Sequence, residues 1–184
     1  MNQIRKLAAN YRRHVGVPWQ RTMAGAQRVM IVVYPKERER ALRYHIGEFE
    51  EATRVAGHKW ILADATRWFA EWMAEDDYRD AYFEDPELLG MKLEGEFKAH
   101  AAGRLRAVLE EADDNTVVGL LGAATLYGFL RVSELIQSVE PSIRGRLAVF
   151  FPGTRNDNNY RLLDARDGWS YLAQPITLHE AWMP

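Results

Sequence analysis

Oxygen-bearing side chains gather at a few points of this sequence. Asp64, Thr125, Thr154, Asp157 and Arg161 all fall at or just beyond the ends of apolar runs. Carboxylates and hydroxyls in that mixture suit a hard cation such as Mg²⁺, or acid/base chemistry. The motifs that would specify an enzyme are missing around them. A phosphate loop needs glycines that bring backbone amides onto phosphate, and a lysine for the terminal phosphates. Tyr34-Pro35-Lys36 has no glycine, and Gly119, Gly122 and Gly128 come without the lysine. Dinucleotide binding of the Rossmann kind fails on the same ground, which leaves Asp64 as a helix-capping candidate. His179-Glu180 begins a metalloprotease-like pattern, but Met183 takes the place of its second histidine. None of the four serines lies in a nucleophile elbow, and there is no cysteine. The expectation is no catalytic residue, no cofactor site and no resident metal.

The elements that would position these residues follow from hydrophobic pattern. Runs at 117–124 and 147–151 are short, aliphatic or aromatic, and closed by turn signals, as strands buried on both faces require. Between them Leu126, Leu130, Ser133, Ile136 and Val139 recur at helical spacing until Pro141. This reads as a βαβ unit. A first strand at 28–34 ends at Pro35, and a second covers 59–64. Between those two strands Leu42, Ile46, Phe49, Thr53 and Ala56 mark a helix face, with Gly57 at its C-cap. Thr66 caps a helix carrying Trp68, Phe69, Trp72 and Met73, and a further helix spans 92–112. Two short strands, 160–163 and 171–178, close the chain around Asp167-Gly168, and Pro175 assigns the last to an edge. The predicted fold is α/β with three layers: a mostly parallel sheet of about four strands flanked by helices, with a C-terminal β-hairpin at the edge. Ligands and partners of such sheets sit at the carboxyl ends of the strands. Here those ends carry the loops 123–125 and 152–159.

Bulk properties bound the rest. The 184 residues predict a single α/β domain over 28–184, with an acidic helical insertion around 66–112 and a basic segment over 1–27. Net charge is −2, yet the first 28 residues hold Arg5, Lys6, Arg12, Arg13, Arg21 and Arg28 with no acid, while 71–114 hold fourteen acids against five bases. Such a charge distribution fits a basic arm lying on the acidic helices of its own fold, two solvated faces, or a basic tail for phosphate, DNA included, or for an acidic partner. No run is long and apolar enough for a spanning helix, and no leader pattern is visible, so a cytoplasmic protein is expected.

Four stretches together resemble the BrxB family: Val117-Val118-Gly119-Leu120-Leu121-Gly122-Ala123, Leu126-Tyr127-Gly128-Phe129-Leu130-Arg131, Phe150-Phe151-Pro152-Gly153-Thr154 and Tyr160-Arg161-Leu162. The opening Ile31-Val32-Val33-Tyr34-Pro35-Lys36 also looks like that family's first strand. Gly128 stands where the family tends to carry proline, and the loop after Thr154 reads Arg-Asn-Asp-Asn-Asn rather than the more usual aspartate-glycine form. The resemblance implies an accessory subunit of a BREX bacteriophage-exclusion system, with a PglZ-like protein and other BREX components as partners. On that basis the partner-binding residues are Tyr127, Phe129, Arg131, Thr154, Arg155, Asp157, Tyr160 and Arg161. Two other readings stand beside it: DNA binding through the basic N-terminal segment, and a small-molecule or nucleotide enzyme using an Asp64/Asp157 edge.

Overall fold

β1 (Val29–Tyr34) is six consecutive buried residues, Val-Met-Ile-Val-Val-Tyr, because it has neighbours on both sides and helices on both faces. The computed structural model describes residues 2–165 and 168–179. Within them β2 (Lys59–Asp64), β3 (Thr116–Leu121), β4 (Arg146–Asn156), β1 and β7 (Gln174–Ile176) form one sheet in the order β2-β3-β4-β1-β7. Every pairing along this path is parallel. β7 takes the edge beside β1, with Pro175 opposite Ile31.

Two hydrophobic clusters cover the two faces, which makes the three layers. Alternation along each strand sorts the residues: Met30, Val32, Tyr34, Ala148 and Phe150 face one cluster, and Val29, Ile31, Val33, Val149 and Phe151 the other. The first cluster is closed by α1 (Gln3–Val15), α2 (Glu39–Tyr44) and α3 (Ile46–Val55) through Ile4, Leu7, Tyr11, Leu42 and Phe49. The second is closed by α4 (Trp68–Ala74), α7 (Lys98–Glu111) and α8 (Val132–Val139). The chain leaves β1 by one face to reach the far strand β2, then returns through β3 to β4 by the other face. Reversing both direction and face keeps the crossovers the same hand.

Several expectations are corrected by this arrangement. Within the basic segment 1–27, α1 buries Ile4, Leu7, Tyr11 and Val15 completely, and Tyr11 hydrogen-bonds Thr53 of α3 at 2.6 Å. Its cations occupy the outer face, where Arg5 pairs with Glu48 at 3.2 Å. In the acidic insertion, α5 (Arg79–Glu84) is exposed, and α6 (Gly90–Lys92) runs through a π-helical turn, Leu93–Phe97, into α7. That wider turn keeps Phe97 buried while the stripe beyond it shifts to Ala101, Ala102, Leu105 and Leu109. The helix expected from Leu126 begins only at Val132, since Gly128 adopts φ 84° and interrupts it.

The C-terminal strands also differ in detail. β4 does not stop at Phe151 but runs to Asn156, then turns through Asp157 and Asn158 into β5 (Asn159–Leu162). β5 pairs antiparallel with β4 and with β6 (Trp169–Ser170). The expected hairpin is thus made with the end of β4, and the final strand is parallel, giving five parallel strands rather than four. Residues 152–159, expected as a loop, are mostly strand, because Gly153 allows the close approach of Arg161: a Cβ there would lie 2.1 Å from its carbonyl oxygen. Asp167 of the expected turn lies outside the described residues, as do Glu180 and Met183 of the incomplete metalloprotease pattern.

Candidate functional site

The carboxyl ends of the strands carry two distinct constructions. β1 delivers the chain to the α1–α3 face, whereas β3 and β4 deliver it to the opposite face, the topology at which a crevice between β1 and β4 is expected. Lys36, just beyond β1, and Asp164, just beyond β5, form an ion pair there.

On the α7–α8 side of that crevice lies a groove of about 760 Å³, lined by Tyr127, Phe129, Arg131, Leu162, Asp164 and Trp169 among others. Its wall is the segment between β3 and α8, and local chemistry explains its shape. β3 is followed by Gly122, which adopts φ 83°; a Cβ there would sit 2.7 Å from the Thr66 backbone nitrogen. Residues Ala123–Leu126 form a 3₁₀ turn, and Thr125 Oγ1 donates to the Gly122 carbonyl at 2.7 Å. Leu126 and Leu130 plug into the core on either side of Gly128. Phe129 stacks on Phe69 with ring centroids 3.8 Å apart and planes 5° from parallel. These anchors hold Tyr127, half exposed at 50%, and Arg131, exposed and without an ion-pair partner among the described residues, at the mouth of the groove.

On the α2 side a chain of hydrogen bonds runs along the rim. Tyr34 donates to Glu39, Arg43 Nε donates to Glu39 at 2.8 Å, and the same guanidinium reaches Thr66 at 2.8 Å and Asp64 at 3.4 Å. Burial pushes the Tyr34 hydroxyl far up, and the neighbouring Glu39 carboxylate raises it further, so it stays protonated. Burial would raise Asp64 as well, but the side-chain and backbone hydrogen bonds from Thr66, with Arg43 beside it, bring it below the usual carboxylate range. A carboxylate held ionised this way is a weak general base.

The expected oxygen-rich cluster is divided. Thr125 meets the Asp64 region, donating to the Ala65 carbonyl at 3.2 Å. Thr154 and Arg161 face each other across the β4–β5 hairpin, and Asp157 stands at its tip with φ 50°, four residues beyond Gly153↔Leu162 on β4. Among the described residues no group of three His, Asp or Glu side chains is placed to share a metal ion.

The proposed partner residues separate into three sets. Tyr127, Phe129 and Arg131 line the groove. Thr154, Asp157 and Arg161 are exposed on the hairpin, with Arg155 half-buried, its guanidinium 6.0 Å from the Tyr160 ring centre and its Nε buried without a hydrogen bond. Tyr160 is fully buried: it packs on Phe151 and Trp169 at 6.0 and 5.4 Å and belongs to the core, not to an exposed anchor. Alternation along β5, exposed–buried–exposed–buried, gives the reason. Sequence reasoning passed over Arg43, Asp164 and Trp169 on this rim. Arg43 lies four residues after Glu39, a spacing that could have disclosed the pair.

Among the described residues no helix is long and apolar enough to cross a membrane. Compared with family models, curated proteins and solved structures, the chain matches none.

Proposed function

We propose that this chain is a non-catalytic docking subunit whose carboxyl rim receives a protein partner. In keeping with the resemblance to the BrxB family, the partner is a PglZ-like component of a BREX-type phage-defence complex in the cytoplasm. The observation that carries this reading is the groove with Tyr127 and Arg131 at its mouth. Tyrosine and arginine are the side chains most often found to dominate binding energy, and here the backbone beneath them is pinned by Leu126, Phe129 and Leu130. Rigid presentation lowers the ordering cost of association. The rim charges on the other side, Arg43, Glu39 and Asp64, are already paired with one another, which leaves them little to offer a substrate.

Co-purification tests it. The tagged chain should recover a PglZ-like protein produced in the same cells, and Tyr127→Ala with Arg131→Glu should weaken recovery at least tenfold while leaving the melting temperature unchanged. Full recovery by the double variant would remove the groove from the interface.

A second reading, DNA contact, is favoured by one observation: Lys6, Arg12 and Arg13 are all exposed on the outer face of α1. Removing α1 would also remove core residues, so the test is Lys6→Gln, Arg12→Gln and Arg13→Gln together. DNA affinity that falls with salt, and falls less steeply in the triple variant, supports this reading. No change in slope rejects it.

A further inference from the structure

At the amino ends of the strands, opposite the docking rim, one arginine is in an unusual position. Arg146 opens β4, and alternation with Ala148 and Phe150 turns it toward the α1 face, where an apolar residue would ordinarily sit. The residue is only 8% exposed. Among the described residues no carboxylate pairs with it. Its guanidinium donates to the neighbouring Gly145 carbonyl at 3.0 Å and to the Met23 thioether, also at 3.0 Å. A thioether is among the weakest acceptors a protein has. The remaining contact is Trp19, whose ring centre lies 4.5 Å from the guanidinium carbon, while His58 stacks on the same ring at 3.7 Å. Arg28 adds a second positive charge nearby instead of a counterion, and its own guanidinium is spent on the carbonyls of Ile143 and Arg144.

A buried charge without an opposite charge is costly, and proteins ordinarily pair it. Here the unpaired guanidinium faces an open pocket of about 470 Å³, within the size range of small-molecule sites. Apolar side chains, Pro18, Met23, Met30 and Leu172, share its lining with the amides of Gln27 and Gln174. We propose that this pocket binds a small organic carboxylate: the carboxylate takes the guanidinium from Met23, and its apolar body lies on the methionines and Leu172. The preference for a carboxylate over a nucleotide follows from Trp19. His58 and Arg146 already occupy that ring, so it has no free face for a base to stack on. A planar carboxylate matches the guanidinium fork with two parallel hydrogen bonds.

Thermal melting with defined probes tests the site. Benzoate and hexanoate are added to the full chain, with acetate, inorganic phosphate and chloride as comparators at matched ionic strength. The expected result is a rise of a few degrees with benzoate or hexanoate that exceeds the comparators, as ligand binding to the folded state requires. Arg146→Met should abolish that rise. Met23→Glu supplies a second check, since it places a carboxylate against the guanidinium from within: the ligand-free protein should melt higher and respond to neither probe. An equal rise in Arg146→Met, no rise with either probe, or a rise with phosphate or chloride as large as with the carboxylates would each overturn the proposal.

Discussion

Two sites at opposite ends of the sheet, the groove rim and the Arg146 pocket, treat charge differently. At the carboxyl end Lys36 meets Asp164, Arg43 meets Glu39 and Asp64, and the exposed features are a groove of mixed lining and the side chains at its mouth. At the amino end Arg146 is deeply buried and has a sulfur and a carbonyl where a carboxylate is expected. The contrast separates two kinds of recognition. A rim that pairs Lys36, Glu39, Arg43 and Asp64 with near neighbours and leaves Tyr127 and Arg131 at the mouth of a groove offers shape and aromatic contact, as a protein partner needs. A pocket with an unsatisfied charge offers a single strong polar interaction, as a small ion needs.

The comparison can be broken most forcefully at the floor of the carboxyl rim. Tyr160→Ala removes a fully buried ring between Phe151 and Trp169 and should cost about 3–5 kcal/mol in chemical denaturation. A cost below 1 kcal/mol would mean the hairpin is not packed on the sheet. Gly122→Ala forces a side chain at φ 83° against Thr66 and should cost about 1–3 kcal/mol, with the groove wall displaced and partner recovery reduced.

A matched pair of substitutions sharpens the difference between the ends. Arg43→Met leaves Glu39 and Asp64 without their shared cation and should destabilise by about 1 kcal/mol, a modest figure because the pair is partly solvated. Arg146→Met replaces an uncompensated buried charge with an apolar chain and should leave stability unchanged or raise it. Equal losses at both positions would erase the distinction.

The smallest effect lies in acid. Asp113, at the amino end of β3, is held at about 2 by the Lys59 ammonium first and then by Thr116 and the Asn115 backbone. Its contribution is present above the ordinary carboxylate value of 3.8 and is lost as pH falls toward about 2. Lys59→Met should flatten acid denaturation slightly across that window. A curve unchanged by the substitution would show the pair to be fully screened.

How much of this could be read from sequence depended on what each residue had to contrast with. β1, β3 and the start of β4 were plain because burial on both faces leaves uninterrupted apolar runs, and Pro175 correctly placed β7 at an edge. The far half of β4 was hidden because Thr154, Arg155 and Asn156 carry polar side chains, and strand formation there depends on a partner strand rather than on propensity. Leu126 and Leu130 have helical spacing, yet both are buried from a non-helical segment, since Gly128 costs less in the left-handed region than in a helix. Tyr127, Phe129 and Arg131 were named through the family resemblance, and the structure brings them to one groove. Arg146 gave no signal. An arginine after Arg144-Gly145 reads as a solvated turn residue, and it is the segment after α1, through Trp19 and Met23, that packs against it.

The position of β1 in the sheet also sets the order in which this molecule can be assembled. Its neighbours are β4 and β7, so Val29 pairs with Leu147, a residue 118 positions later, and Met30 with Gln174 later still. A nascent chain therefore carries an apolar segment, Val-Met-Ile-Val-Val-Tyr, that waits unpaired until β4, more than a hundred residues later, has emerged. Loop-closure entropy makes such pairing slow, and an exposed strand of this composition is prone to self-association. Expression at lower temperature or with a chaperone should raise the soluble yield of the full chain, whereas a version ending before Arg146 should be recovered as aggregate.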